Sequence, residues 1–208
     1  MVVDPVMMKS SAVCLCVLAA FSLASCSTPV IPLPNEKAPA TFGVTLDTSR
    51  GPVGLEVTRA DGPIGADRFY NLVKSQYFDG ARFFRVVPGF VAQFGVAGDP
   101  KVYAKWDVPI QDDPVLVSNT RGTLCFAAQS VPNTRTTQMF INLGNNQRLD
   151  AQGFAVFGKV VSGMDAVDHI YSGYGQRPDQ GKIEQLGNAY LLQNFPSLDY
   201  IKTARIGG

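Results

Sequence analysis

Short apolar runs with a period of two recur along the chain from residue 41 onward. In the first of them Phe42, Val44 and Leu46 fall on one face, and after the turn DTSRGP the alternation returns at Val53 and Leu55. This period is typical of β-strands with one buried face. The 20 Gly and 14 Pro provide the turns that many short strands need. Because closure removes exposed strand edges, the pattern predicts a mainly β fold, a closed antiparallel barrel.

Two stretches change to a helical period. Apolar side chains recur every three or four residues in residues 63–80, with Pro near the start and Gly beyond the end, and a shorter helix fits residues 163–173. The polar stretch 96–119 is predicted to be an ordered loop. Further strands are predicted at residues 81–87, 90–95, 122–128, 137–143, 153–161 and 198–206. The interpretation is one barrel domain over residues 41–206, with two helices over its open ends.

The N-terminal region has the features of an export signal. Residues 12–24 are uncharged and apolar, follow Lys9, and are too few to span a membrane. The run ends in LASC, which resembles the signal of bacterial lipoproteins, where cleavage precedes the cysteine and its sulfur carries lipid. The resemblance implies a lipoprotein signal peptide over residues 1–25 and lipidation of Cys26. An ordinary secretory signal with an incidental Cys26 is the alternative.

Residues 26–40 are rich in Pro and polar groups and predict an extended tether between a membrane and the domain. In Gram-negative sorting, Asp after the lipidated cysteine favours the inner membrane, so Ser27 indicates the periplasmic face of the outer membrane. With Cys26 acylated and the leader cysteines removed, Cys125 has no partner, and no structural disulfide is expected. The sequence therefore predicts an exported protein, lipid-anchored in the cell envelope.

Several kinds of chemistry leave no signal in this sequence. The chain has 18 basic and 17 acidic residues and lacks the clustered basic excess that binding to nucleic acid requires. No spacing resembles a zinc site, a phosphate loop or a dinucleotide fingerprint, so neither a metal nor a cofactor is expected. Cys125 is predicted to be an inert buried thiol and His169 to flank its helix. Asp112 and Asp113 are predicted to be solvated loop residues.

The run FFRVVPGFVAQFG, residues 83–95, contains a single charged side chain, Arg85, and one other hydrogen-bonding side chain, Gln93. Burying a guanidinium among apolar groups is costly unless it has partners. Considered alone, Arg85 is best explained as a surface ion-pair residue, and Phe90 and Phe140 as ordinary core residues. The neighbouring motifs change this interpretation.

Three motifs, in order, resemble the cyclophilin family of peptidyl-prolyl isomerases. The family pattern F-x-R-x-x-P-G-F-x-x-Q matches residues 83–93, P-N-T…Q-x-F matches residues 132–140, and L-D…F-G-x-V…G-M matches residues 149–164. The resemblance covers residues 41–171. It implies an eight-stranded antiparallel barrel capped by two helices, and an enzyme that rotates X-Pro bonds in proline-containing polypeptides.

The resemblance also implies residue roles. Arg85 would donate to the proline nitrogen, and Gln93 would orient Arg85 and hold a substrate backbone group. The substrate-binding residues would be Phe90, Val91, Ala128, Gln129, Phe140, Leu149 and Phe154. The strand after Phe126 is about one residue longer than is common, which leaves its pairing with substrate open across residues 127–129. Phe90 and Gln93 have opposite strand parity, so a kink or bulge is expected between them.

Two functions are compatible with these residues. The first is a prolyl isomerase that assists the folding of envelope proteins; the alternative is a non-catalytic module that binds proline-containing segments as a chaperone or assembly factor. Arg85 favours the enzyme, because binding alone needs no transition-state donor. A purely structural lipoprotein would leave the pocket residues without a role. We expect a monomer that binds polypeptides and, through its lipidated N-terminus, a membrane.

Overall fold

The alternating residues 41–58 form a hairpin of two strands, β1 (Thr41–Thr48) and β2 (Gly51–Thr58), as the sequence predicts. The computed structural model describes residues 1–2 and 32–207. The other strands are β3 (Arg85–Val87), β4 (Val91–Phe94), β5 (Thr123–Phe126), β6 (Met139–Asn142), β7 (Val156–Ser162) and β8 (Ile201–Gly207). Each of the six further segments predicted from the sequence overlaps one of the strands β3 to β8, and each of these strands is shorter than its predicted segment.

The strands form one antiparallel eight-stranded sheet in the order β3-β4-β6-β5-β7-β2-β1-β8. The sheet curls so that its two ends meet just before β3 and β8. An isolated antiparallel bridge joins Arg82 to Tyr200, and the Phe83 N–H donates to the Asp199 carbonyl at 3.0 Å. The predicted eight-stranded antiparallel architecture is confirmed, and this short backbone contact brings its edges together.

The predicted pair of helices is wrong in number, because the described residues contain five α-helices. They are α1 (Pro63–Lys74), α2 (Pro100–Trp106), α3 (Met164–Asp168), α4 (Gln180–Leu186) and α5 (Asn188–Asn194). The helices α1 and α3 lie where the helical period predicted them. Helix α2 lies in the stretch predicted as a loop, and α4 and α5 lie in a stretch without an assignment. No helix among the described residues is both long and apolar enough to cross a bilayer.

Two of the three additional helices, α2 and α4, begin at local capping signals. The Asp99 side chain accepts the Lys101 N–H at 2.8 Å, and Pro occupies the first turn of α2. The Asp179 side chain accepts the Lys182 N–H at 3.0 Å at the start of α4. A capping carboxylate satisfies an N–H group that a helix start leaves without an intrahelical partner. These seven-residue helices are too short for a hydrophobic period to be recognised in the sequence.

Side-chain alternation divides the sheet into two apolar layers. The inner layer contains Ala92 and Phe94 of β4 and the aromatic ring of Phe69 from α1, whose centroid lies 5.5 Å from that of Phe157. The alternate residues of β4, Val91 and Gln93, point to the other face of the sheet. That outer face carries a smaller buried cluster formed by Val91, Cys125, Phe140, Leu149 and Val156. The barrel is therefore filled by its core, and the outer cluster is available to build a site.

The last residues of the predicted tether are bound to the domain. The Glu36 N–H donates to Asn71 Oδ1 at 3.0 Å, and the Ala38 N–H donates to Asp67 Oδ1 at 2.8 Å, both on α1. Ala38 is buried, and Leu33 packs against the core. The chain thus contacts the domain from residue 33, eight residues before β1. Residues 3–25 of the predicted signal peptide, and Cys26 and Ser27, lie outside the described residues.

Candidate active site

The hairpin of β3 and β4 places Arg85 directly opposite Gln93. Its turn is closed by the Phe90 N–H, which donates to the Val87 carbonyl at 2.9 Å. Gly89 has a φ of 71°, as the third residue of a type II turn requires. The expectation of a kink or bulge within the strand is wrong. Phe90 lies in the turn, so strand parity does not govern its direction.

A cavity of about 430 Å³ opens on the outer face of the barrel beside this hairpin. Its walls include every catalytic and substrate-binding residue that the sequence predicts. These are Arg85, Phe90, Val91, Gln93, Ala128, Gln129, Phe140, Leu149 and Phe154. Residues that are distant in sequence meet here because β4, β5 and β6 are neighbours in the sheet.

The floor of the cavity is apolar. Val91, Phe140 and Leu149 are buried there, and the Phe154 ring meets the Phe140 ring edge-on at a centroid distance of 5.7 Å. Phe90 lies at the rim, partly exposed. An apolar hollow walled by aromatic rings suits a compact apolar group such as a proline ring.

Arg85 is the cation of this cavity, and neutral amides hold it. Its Nη1–H donates to Gln93 Oε1 at 3.1 Å, and its Nε–H donates to Gln176 Oε1 at 3.1 Å. Its Cζ lies 5.5 Å from the centre of the Phe90 ring. Within the described residues no carboxylate forms an ion pair with Arg85. Loss of hydration lowers the pKa of Arg85 from its ordinary value, and the group remains a cation at neutral pH.

A row of side chains continues from Arg85 along the cavity wall. Gln93 Nε2–H donates to Gln138 Oε1 at 3.0 Å, and Gln138 Nε2–H donates to Glu184 Oε1 at 3.0 Å. Glu184 belongs to α4, and Gln176 precedes that helix. Sequence reasoning missed both, because no motif marks this part of the chain and only the folded tail brings it to the cavity.

The segment after β5 contributes backbone groups to the cavity. The Ala127 N–H donates to the Gln138 carbonyl at 2.9 Å, and the Gln129 N–H donates to Thr134 Oγ1 at 3.0 Å. Among the described residues the Ala128 N–H, which lies between them, has no acceptor. Of the positions that the sequence left open, Ala128 is therefore the one with a free donor at the cavity.

The prediction that Asp112 and Asp113 are solvated is wrong. The Asp113 carboxylate accepts the Ile64 and Gly65 N–H groups of α1 at 3.0 and 2.7 Å. Asp112 forms an ion pair with Arg135, which is buried. Each carboxylate therefore anchors the long loop to another part of the domain.

The remaining candidate nucleophile and base lie outside the cavity walls. Cys125 is buried, its Sγ–H donates to Asn119 Oδ1 at 3.0 Å, and burial raises the pKa of the thiol, as the prediction of an inert cysteine requires. His169 follows α3, is exposed, and places Nδ1 2.7 Å from the Asp165 carbonyl oxygen. Within the described residues, no three His, Cys, Asp or Glu side chains are grouped so that they could hold a metal ion.

Together these features define a class of protein. A curled antiparallel barrel presents, on its outer face, an apolar hollow, a free backbone N–H and a cation held by amides. Such a cleft suits an extended peptide with an apolar ring, with hydrogen-bond donors placed to hold the peptide. The class is a peptide-binding β-barrel whose cleft carries a cationic hydrogen-bond donor.

Comparisons with known proteins give the family. The pattern described as "Cyclophilin type peptidyl-prolyl cis-trans isomerase/CLD" matches residues 43–188. A peptidyl-prolyl cis-trans isomerase of Acinetobacter baylyi is 38% identical over 132 residues, 61% of this chain and 70% of the relative. Peptidyl-prolyl cis-trans isomerase A of Dickeya dadantii is 32% identical over 169 residues, 79% of this chain and 83% of the relative. This chain belongs to the cyclophilin-type peptidyl-prolyl cis-trans isomerase family, and it is an isomerase that acts on proline-containing peptides.

Solved structures support the fold. A cyclophilin-type isomerase of Cryptosporidium parvum superimposes with a TM-score of 0.62 at 22% identity, covering 81% of this chain and 98% of that one. Cyclophilin AquaCyp293 of Hirschia baltica superimposes with a TM-score of 0.60 at 15% identity, covering 81% of this chain and 75% of that one.

Proposed function

We propose that this isomerase is anchored by lipid on Cys26 and assists the folding of proteins in the cell envelope, with Arg85 as the group that stabilises the twisted peptide bond. The observation that carries the mechanism is the state of Arg85: a half-buried cation without an acidic partner among the described residues, in the wall of an apolar cavity. The export and anchoring parts are supported by the apolar leader and the LASC sequence.

The reaction determines what such a cation can do. An amide C–N bond resists rotation by about 18–20 kcal/mol, because the nitrogen lone pair is shared with the carbonyl group. The cis and trans forms before proline differ little in energy, so the slow step is the rotation itself. At the twisted transition state the proline nitrogen regains its lone pair and becomes an acceptor. A fixed donor at that nitrogen binds the twisted state more tightly than either planar state, and this difference accelerates rotation.

Arg85 meets this requirement. A guanidinium has five N–H donors. Its Nε–H and one Nη1–H have amide acceptors, and both N–H groups of Nη2 have no acceptor among the described residues. The two amides fix the plane of the guanidinium, and Arg85 lines the cavity, so its remaining donors are available to a substrate bound there. A neighbouring acid would compete for these donors, whereas the amides leave them free for substrate.

The other cavity residues hold the peptide in place for this donor. The proline ring occupies the apolar floor formed by Val91, Phe140 and Leu149, and the Ala128 N–H pairs with a substrate carbonyl. Gln93 uses its Oε1 on Arg85 and retains one Nε2–H for the substrate backbone. The chain thereby grips the substrate on both sides of the X-Pro bond while the bond turns.

The test is the isomerisation rate of a short X-Pro peptide with wild type and Arg85→Ala, measured by NMR exchange, together with peptide affinity by titration. We expect Arg85→Ala to lower the rate about 100-fold, the effect of removing one preorganised donor, with affinity changed less than about threefold because ground-state contacts remain. Arg205→Ala is the matched control, since it removes an exposed guanidinium on β8 that pairs with Asp79.

Two results would decide against the mechanism. Equal rates for Arg85→Ala and wild type would place catalysis elsewhere. A wild-type protein that binds the peptide tightly without turning it over would favour the alternative, a binding module for proline-containing segments.

A further inference from the structure

A row of hydrogen bonds connects Arg85, the proposed catalytic cation, to helix α4, which lies outside the three family motifs. Its members are Arg85, Gln93, Gln138 and Glu184, with donor–acceptor distances of 3.1, 3.0 and 3.0 Å. In every link the N–H donor lies on the Arg85 side and the acceptor oxygen on the Glu184 side. All four residues line the same cavity.

The two ends of the row determine the orientation of its middle. A guanidinium can only donate, and an ionised carboxylate can only accept, whereas a glutamine amide does both. Gln93 must therefore turn its oxygen to Arg85, and Gln138 must turn its oxygen to Gln93, if every link is to form. If either amide flips, two donors or two acceptors face each other and a link is lost.

We propose that Glu184 is a positioning residue of the isomerase site: its carboxylate fixes the amide orientations of Gln138 and Gln93 and thereby holds Arg85 in the place where it acts. Glu184 does not contact the reacting bond and acts through Gln138. The inference rests on the role proposed for Arg85.

The surroundings of Glu184 make this end of the row sensitive to protonation. Burial raises the pKa of Glu184 above its ordinary value of 4.5, and the charge of Asp107 raises it further, while the neighbouring Tyr103 hydroxyl and the hydrogen bond from Gln138 oppose the shift. Asp179 at the start of α4 also raises it. Within the described residues no Lys or Arg forms an ion pair with Glu184.

Protonation therefore relaxes the row from its acidic end. A neutral carboxyl can donate as well as accept, so Gln138 can flip toward it and leave Gln93 without a fixed partner. Because the pKa of Glu184 is raised, this occurs at a higher pH than for an exposed glutamate. The rate should fall as the pH decreases through the pKa of Glu184 and should be constant above it, since Arg85 keeps its charge throughout.

The experiment compares wild type with Glu184→Gln, which keeps the shape of the side chain and removes its acceptor-only character. We expect kcat to fall about fivefold at neutral pH with KM nearly unchanged, the effect of loosening one link in a polar network. We also expect the pH dependence to disappear, with the variant at all pH values resembling wild type at low pH. NMR exchange is used because it needs no coupling protease.

A matched control and a second background separate positioning from folding. Glu56→Gln makes the same chemical change on the exposed face of β2, where Glu56 pairs with Lys159, and should leave rate and pH profile as in wild type. In a Gln138→Leu background the row is already broken, so Glu184→Gln should cause no further loss. Circular dichroism at each pH verifies that each protein is folded.

The outcomes distinguish this inference from the mechanism on which it rests. If Arg85→Ala is slow but Glu184→Gln matches wild type in kcat and in pH profile, the positioning role is wrong and the mechanism stands. If Glu184→Gln lowers the rate equally with and without Gln138, Glu184 acts by another route and the inference also fails. If Arg85→Ala itself is as fast as wild type, the role of Arg85 is wrong as well.

Discussion

At the scale of single residues, the central feature is a cation held by neutral groups. Arg85 is partly desolvated, which would ordinarily favour an acidic neighbour. The chain instead supplies the amide oxygens of Gln93 and Gln176. Amides orient the guanidinium without cancelling its charge, so its field remains available to a substrate. The choice of Gln at position 93 is thus as important as the choice of Arg at position 85.

This argument predicts the effect of Gln93→Glu, an almost isosteric change. The new carboxylate should form an ion pair with Arg85 and, lacking an N–H donor, lose its link to Gln138. We expect kcat to fall about tenfold or more, because a charge-assisted pair is stronger than the amide bond it replaces and withdraws donors from substrate. The measurement is the isomerisation rate between pH 4 and 8, in which activity should partly return as the new carboxyl is protonated.

Gln93→Met is the comparison that isolates charge, since it removes the hydrogen bond without adding an acid. A Gln93→Glu protein faster than Gln93→Met at neutral pH would contradict the argument that an acidic partner impairs Arg85.

The sequence predicted the cavity residues because family motifs mark them. Arg85 and Gln93 belong to one motif, and Phe140 and Leu149 to two others. Glu184 carries no such mark. It reaches the cavity only because α4 folds against the barrel, which depends on long-range packing that a local pattern does not encode. The free donor at Ala128 required knowledge of which neighbouring N–H groups already had acceptors.

At the scale of elements, α1 begins without a capping side chain of its own. Its N-cap residue is Gly62, and the carboxylate that accepts the Ile64 and Gly65 N–H groups comes from Asp113, far along the chain. One contact thus caps the helix and anchors the long loop. The prediction of a solvated Asp113 fails because a helix cap supplied from a distant loop follows no spacing rule in the sequence.

Replacing Asp113 should therefore destabilise the domain more than an ordinary surface change. Asp113→Ala leaves two N–H groups at the start of α1 without their acceptor, at a cost of about 1–2 kcal/mol. For a domain of this size the melting temperature should fall by about 3–6 °C. Thermal unfolding followed by circular dichroism measures the change, with Asp61→Ala as the control, because the Asp61 side chain accepts no hydrogen bond among the described residues. Equal melting temperatures for both variants would refute the capping role.

At the scale of the whole molecule, the way the chain enters the domain limits the reach of the proposed anchor. Residues 33–38 are bound to α1 through Asn71 and Asp67. If Cys26 carries lipid, only the chain between Cys26 and Leu33 can extend, which spans at most about 25 Å at the length of a fully extended backbone. A tether that ran freely to residue 40 would reach about 50 Å. The proposed anchor would therefore keep the isomerase close to the bilayer surface.

The anchoring proposal makes a direct prediction about the two cysteines expected in the mature chain. In cells given radiolabelled palmitate, the wild-type protein should carry label and sediment with membranes, and Cys26→Ala should lose both properties. Cys125→Ala is the matched control: the Cys125 thiol is fully buried in the barrel, inaccessible to an acyl donor, so the variant should be labelled like wild type. Label that persists in Cys26→Ala, or a wild-type protein without label, would show that the leader is an ordinary secretory signal. The domain would then diffuse freely after export, and the 25 Å limit on its reach would not apply.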